Sequence, residues 1–160
     1  MDEYVNEFDP ELFKGINFAE RFAEISKRHP IEPEYDLLER LDFDLTKEIL
    51  ESFGYKIRYF RGENFFRATE KREGYEFRFN IILKWGGTEL IWSVFHQKQL
   101  IREASDTWLT AYESLTGCKW EDVPNYPYYH DYDEMEEVLK ECFELWEDFK
   151  REFLARYKDK

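Results

Sequence analysis

Acid–base or metal chemistry needs carboxylates and imidazoles that converge on one point, and one stretch of the chain has that character: His130-Asp131-Tyr132-Asp133-Glu134. An Asp just before an apolar-periodic run is also ordinary helix-capping chemistry, which accounts for the stretch more simply. His29 precedes Pro30 and His96 closes a strand-like run, and neither has a partner at a diagnostic spacing. No Ser or Cys sits in a nucleophile elbow, and Gly86-Gly87 is neither a phosphate loop nor a dinucleotide fingerprint. No metal or cofactor is therefore expected. An enzyme reading would have to rest on a scattered site centred on His130.

Binding chemistry has more to work with. Between Cys118 and His130 the chain carries Trp120, Tyr126, Tyr128 and Tyr129 beside Glu121, Asp122 and two prolines, an unusually aromatic composition for a loop. Tyr and Trp offer large apolar area with a polar tip and are enriched in binding hot spots, although the same side chains also anchor long loops to a core. The acids Asp131, Asp133, Glu137, Glu141 and Glu144 follow immediately. Together these eleven residues form the expected surface for a basic protein partner, with charge drawing the partner in and aromatics holding it.

Charge distribution supports that expectation. The net charge is −13, and residues 121 to 149 contribute 11 acids against a single base, whereas residues 54 to 104 hold 10 bases and 6 acids. Nucleic acid is disfavoured as a partner for the surface as a whole, because phosphates would be repelled by most of it. The basic middle of the chain keeps open a further alternative, an RNA- or ligand-binding face. A solvated face, or one neutralised by the acidic 133 to 148 stretch, is the simpler expectation. Aromatics at 19% of residues argue against disorder in spite of 37% charged residues. No apolar run approaches the roughly 20 residues needed to span a bilayer. Met1-Asp2-Glu3-Tyr4 lacks the basic and apolar regions of a signal peptide, so a cytosolic setting is expected. Cys118 and Cys142 are the only cysteines and are expected to be reduced thiols.

The elements that must position these residues follow from periodicity. Tyr75, Phe77, Phe79, Ile81, Leu83 and Trp85 alternate with Glu76, Arg78, Asn80 and Lys84, the mark of a half-buried strand. Similar runs and short turns predict an antiparallel meander of strands at about 55–61, 64–72, 75–85 and 88–97, with Gly86-Gly87 supplying the third turn. Lys56, Arg58, Arg78 and Lys84 should share the face opposite the aromatics. Helices are expected from Asp9-Pro10, from Asn17 to about Lys27, and from an Asp44 cap through Leu45, Ile49, Leu50 and Phe53 to Gly54. Glu34 to Leu41 offers only a brief apolar stripe. Ser105 or Asp106 should cap a helix ending at Gly117. Asp131 or Asp133 should open the longest helix, to about Tyr157, with a stripe of Met135, Val138, Leu139, Cys142, Phe143, Trp146, Phe149, Phe153 and Tyr157.

The whole is an α+β chain, expected to form one domain over residues 1–160, with a four-stranded antiparallel meander flanked by N-terminal helices and a long C-terminal helix. A small, acidic, aromatic-rich α+β chain without catalytic motifs resembles bacterial toxin-immunity proteins in general character. The leading functional expectation is accordingly a non-catalytic protein that masks a basic surface, such as an immunity protein, antitoxin or inhibitor of a toxic nuclease.

Overall fold

The computed structural model describes residues 7–158. Its helices are α1 (Pro10–Lys14), α2 (Phe18–Arg28), α3 (Phe43–Glu51), α4 (Trp108–Thr116) and α5 (Tyr132–Tyr157). The strands are β1 (Lys56–Phe60), β2 (Phe65–Arg72), β3 (Tyr75–Lys84), β4 (Gly87–His96), β5 (Gln99–Leu100) and β6 (Asp106–Thr107). The fold is α+β, and the sheet is antiparallel in the order β1-β2-β3-β4-β5, with β6 also pairing with β4. The meander is therefore extended by two short strands that the sequence does not announce. Two-residue strands are too brief for alternation to be visible.

Pairing in register sorts the side chains. Ile57, Ala68, Phe79 and Trp92 stand opposite one another across four strands and are all buried. Arg58, Arg67, Asn80 and Ile91 make the adjacent row on the other face. The helices cover only the first face: Phe149 stacks on Trp92 at 4.2 Å, Trp146 meets Phe79 at 5.4 Å and Phe153 meets Phe77 at 5.5 Å. Hence α5, acidic in its outer residues, does not neutralise the basic face; of the two simpler expectations, cover by the acidic stretch fails and a solvent-facing surface holds. The apolar stripe of α5 faces the aromatic side of the sheet, which burial of rings favours far more strongly than screened attraction between charges.

Several boundaries differ from the periodic reading. Helix α3 is capped by Asp42, whose side chain accepts from the Leu45 N–H at 3.0 Å, not by Asp44. Leu45 is exposed, and Thr46 joins Leu50 as the buried pair of that helix. Helix α4 is capped by Thr107, because Asp106 and Thr107 pair with Trp92 and Ile91 as β6. At the β3–β4 turn the residues with positive φ are Trp85 (52°) and Gly86 (80°), so the pair sits one position earlier than expected and Gly87 already belongs to β4. Asn17 lies at the start of α2 in a left-handed conformation with no side-chain cap bond. Asp131 caps α5, accepting from the Glu134 N–H at 2.8 Å.

One buried charge interrupts the α5 stripe. Lys150 is fully buried, with its ammonium 3.2 Å from Glu70, hydrogen-bonded to Glu147, and 3.8 Å from the Trp146 ring centroid. Burial lowers the Lys150 pKa, and its two carboxylate partners only partly restore it. Burial alone would raise the Glu147 pKa, but hydrogen bonds from Lys150, Tyr55 and Arg72 outweigh it and hold the carboxyl at about 2, against an ordinary 4.5. A depressed carboxyl contributes stability that is complete above its unfolded pKa and is lost as pH falls through the folded one. Acid titration monitored by denaturant unfolding should therefore show stability falling between pH 4.5 and about 2. Glu147→Gln should flatten that window, and an unchanged slope would remove Glu147 as its source.

The register itself is tested by substitution. Phe79→Asp places an unpaired charge in the core and should cost about 3 to 5 kcal/mol, whereas Arg78→Thr on the uncovered face should cost less than about 1 kcal/mol. Equal losses in chemical denaturation would contradict the assigned faces.

Candidate functional site

The segment before α5 is stitched in place by backbone bonds. Tyr128 N–H donates to the His29 carbonyl at 2.8 Å, Tyr129 N–H to the Gly86 carbonyl at 2.9 Å, and Thr88 N–H to the Pro127 carbonyl at 3.0 Å. Leu38 N–H in turn donates to the Tyr129 carbonyl at 3.1 Å, so residues 127–129 lie between the β3–β4 turn and the 29–38 segment. Only a glycine permits this at position 86, since a Cβ there would lie 2.6 Å from Leu37 Cβ.

Glu134, one turn into α5, locks the arrangement. One carboxylate oxygen accepts from the His130 backbone N–H at 2.8 Å and from His130 Nδ1 at 2.6 Å; the other lies 3.0 Å from His29 Nδ1. Burial would raise the Glu134 pKa, but the bonds from His29 and His130 outweigh it and lower the carboxyl. His130 Nε2 accepts from the Glu32 N–H at 3.2 Å, which assigns its proton to Nδ1. Both ring nitrogens of His130 are thus engaged, and the side chain ties two segments together. Among the described residues, no group of three or more His, Cys, Asp or Glu is placed to hold a metal ion.

This tie frames an open cleft of about 500 Å³ lined by Glu32, Tyr35, Asp36, Asp131, Asp133 and Glu137, with His130 and Glu134 also in its wall. Among the described residues, no lysine or arginine lines it. Tyr35 stands at its rim, 62% exposed. Glu32, Tyr35 and Asp36 were not among the residues expected at the site. Their only signal in the sequence is the acid-rich run between Pro30 and Leu37, which has no periodicity to place it against α5.

The expected partner-binding residues are divided by the structure. Asp131, Asp133 and Glu137 line the cleft, and Glu144 is exposed further along α5. Glu141 is turned inward, ion-paired with Arg28 and 3.6 Å from His29 Nε2, so it belongs to the α2–α5 contact. Glu121, Tyr126 and Tyr128 line a separate hollow of about 290 Å³ with Leu109, Val123 and Pro124, and Asp122 is exposed nearby. The Trp120 side chain lies outside the described part of the structure. Tyr129 is a correction: it is fully buried in the core, because its backbone bonds to Gly86 and Leu38 turn the ring inward, and it offers no surface to a partner. Cys142 is buried in the α5 stripe and Cys118 is half-buried, and neither is in a disulfide.

No family model, curated protein or solved structure matches this chain.

The Tyr129 hydroxyl has no hydrogen-bond partner among the described residues, and burial raises its pKa. Deleting an unpaired buried hydroxyl removes a desolvation cost, so Tyr129→Phe should leave stability unchanged or raise it by about 1 kcal/mol. Tyr129→Ala should lose about 3 to 5 kcal/mol by opening a cavity. Thermal and denaturant unfolding of the two variants will distinguish a core anchor from a surface residue, for which both changes would be nearly neutral.

Proposed function

We propose that this chain is a non-catalytic binding protein whose acidic cleft receives a basic segment of a protein partner, as an immunity protein, antitoxin or inhibitor of a toxic nuclease would. The observation that carries the reading is the cleft between the 32–36 segment and the start of α5. Six acids line it, Glu32, Asp36, Asp131, Asp133, Glu137 and the histidine-bound Glu134, with no lysine or arginine among the described residues in its wall, beside an exposed tyrosine. Clustered carboxylates repel one another unless a cation arrives, so a Lys or Arg of a partner gains attraction and relieves that repulsion together. Tyr35 supplies flat amphipathic area at the rim, the kind of side chain that holds a partner once docked.

Further support comes from the outer face of α5, where Asp133, Glu136, Glu137 and Glu144 are exposed with Lys140 as the intervening base. That row extends the negative field beyond the cleft and favours fast encounter with a positive surface. The enzyme alternative centred on His130 is weakened by the engagement of both of its ring nitrogens. No helix among the described residues is long and apolar enough to cross a membrane. A cytosolic setting is part of the proposal and fits the unbridged cysteines.

Charge should govern arrival and the aromatic rim departure. Affinity capture from the native host, followed by binding kinetics at two ionic strengths, should return a basic protein. Its association with an Asp36→Lys/Asp133→Lys/Glu137→Lys variant should be slowed about tenfold at low salt, with the difference shrinking as salt rises. Tyr35→Ala should leave association intact and speed dissociation roughly tenfold. An acidic partner, or association indifferent to these reversals, would overturn the reading.

A further inference from the structure

The face of the sheet that no helix covers has a chemistry of its own. Lys56, Arg58, Arg67, Lys71, Arg78 and Lys84 share it with Glu76 and Glu89 as its acids, so it is positive within a chain of net charge −13. Arg58 stands directly opposite Arg67 across β1 and β2, a like-charge pairing that destabilises a sheet. Neither arginine has a carboxylate within ion-pairing distance among the described residues, while Arg78 is paired with Glu76. The Arg67 pKa is lowered, first by burial and then by the positive charges of Arg78 and Arg58. The guanidinium groups lie over rings: Arg58 and Arg67 are 4.7 and 4.4 Å from the Phe60 centroid, Arg67 also donates through Nε to Asn80 Oδ1 at 2.8 Å, and Arg78 lies 4.1 Å from the Phe95 centroid.

Aromatic rings already capped by arginines, and placed at the corners of the face, make a poor platform for stacking bases. Phe60 and Phe65 stack on each other at 4.7 Å on the outer strand pair, whereas the central strands present Asn80, Ile82, Ile91 and Ser93. Single-strand binders on sheets put their stacking aromatics on the sheet surface free to receive bases. Here the centre is partly apolar and the surround is arginine and phenylalanine, the composition of a protein interface core. At one end a groove of about 680 Å³ runs past Lys71, Glu76, Arg78, Phe95 and Lys98, three cations and one acid.

We infer that the uncovered sheet face docks an acidic amphipathic helix of a protein partner, with its carboxylates on Arg58 and Arg67 and its apolar side chains on Ile82 and Ile91. Charge complementarity chooses the occupant. The face is locally positive, Arg58 and Arg67 have no carboxylate partner among the described residues, and an apolar stripe is needed to desolvate the centre. The outer row of α5 in a second copy of this chain does not fit, since it is polar throughout: Asp133, Glu136, Glu137, Lys140 and Glu144. This surface is separate from the acidic cleft and selects a partner segment of opposite charge, so it stands or falls independently of the proposed function.

The test uses the full chain and three labelled probes: an 18-residue helical peptide of leucine and glutamate with one apolar face, the same peptide with lysine for glutamate, and a 12-nucleotide oligouridine. Fluorescence anisotropy and amide chemical-shift mapping should show the glutamate peptide bound on β1 to β4, weakened by salt. Arg58→Ser/Arg67→Ser should weaken that binding at least tenfold while the melting temperature holds or rises, because a like-charge pair is removed. Glu137→Lys should leave it unchanged, which separates this face from the cleft. Tighter binding of oligouridine than of the glutamate peptide, shifts confined to other surfaces, or binding indifferent to the arginine substitutions would each overturn the inference.

Discussion

The structure depends on the burial of one ring. Trp92, at the middle of β4, is in contact with Phe13 of α1, Phe18 of α2, Phe79 of β3, Trp108 of α4 and Phe149 of α5, at centroid separations of 4.2 to 6.1 Å. Four of the five helices are thereby referred to a single position on the sheet. Large rings make this possible because each spans enough space to touch several elements and removes on the order of 150 to 250 Å² from water. Edge-to-face and offset contacts among Phe18, Phe22, Phe79 and Trp108 spread the same principle outward. The five α-helices among the described residues are on one side of the sheet as a consequence, and the other side is left uncovered.

That one-sidedness separates the charges. Strand alternation sends Arg58, Arg67, Arg78 and their neighbours to the uncovered face, and helical periodicity sends Asp133, Glu136, Glu137 and Glu144 to the outside of α5. A molecule that is strongly acidic overall therefore has a positive side and a negative side, with the aromatic core between them. Screening within about 8 to 10 Å at physiological salt lets each side act on what is nearest to it, despite the net charge. The total charge of −13 averages over surfaces that the fold holds apart.

His29, His130 and the buried Lys150 show polar groups used for positioning. Glu134 bridges His29 and His130, which fastens the 29–38 segment to the start of α5 and so frames the acidic cleft. Lys150 makes a comparable joint at the other end of α5, joining β2 through Glu70 to its own helix through Glu147, under the rings of Tyr55 and Trp146. In both places a buried charge is tolerated because its partners converge on it from more than one element, the condition under which burial of an ion is not prohibitive.

What the sequence by itself determined is the set of elements with a long and regular period. Ten alternating residues in β3, and the recurrence of Val138, Cys142, Trp146, Phe149 and Phe153 along α5, leave no competing choice of face, because a slip of one residue would expose a whole row of rings. The acids at Asp131, Asp133 and Glu137 were equally legible, since they head a helix whose apolar side was already known. Tertiary structure alone decided the rest. Which side of the sheet α5 would take was undetermined by periods that specify a face but not its neighbour. That Tyr129 would go inward depended on its hydrogen bonds to the Gly86 carbonyl and from the Leu38 N–H, residues far away in the chain. The cleft needed Glu32, Tyr35 and Asp36, carried on an irregular segment whose place is set by backbone contacts to 128–130 and by the Glu134 bridge. Such contacts form between groups with no fixed sequence spacing, so a reading based on local pattern has nothing from which to infer them.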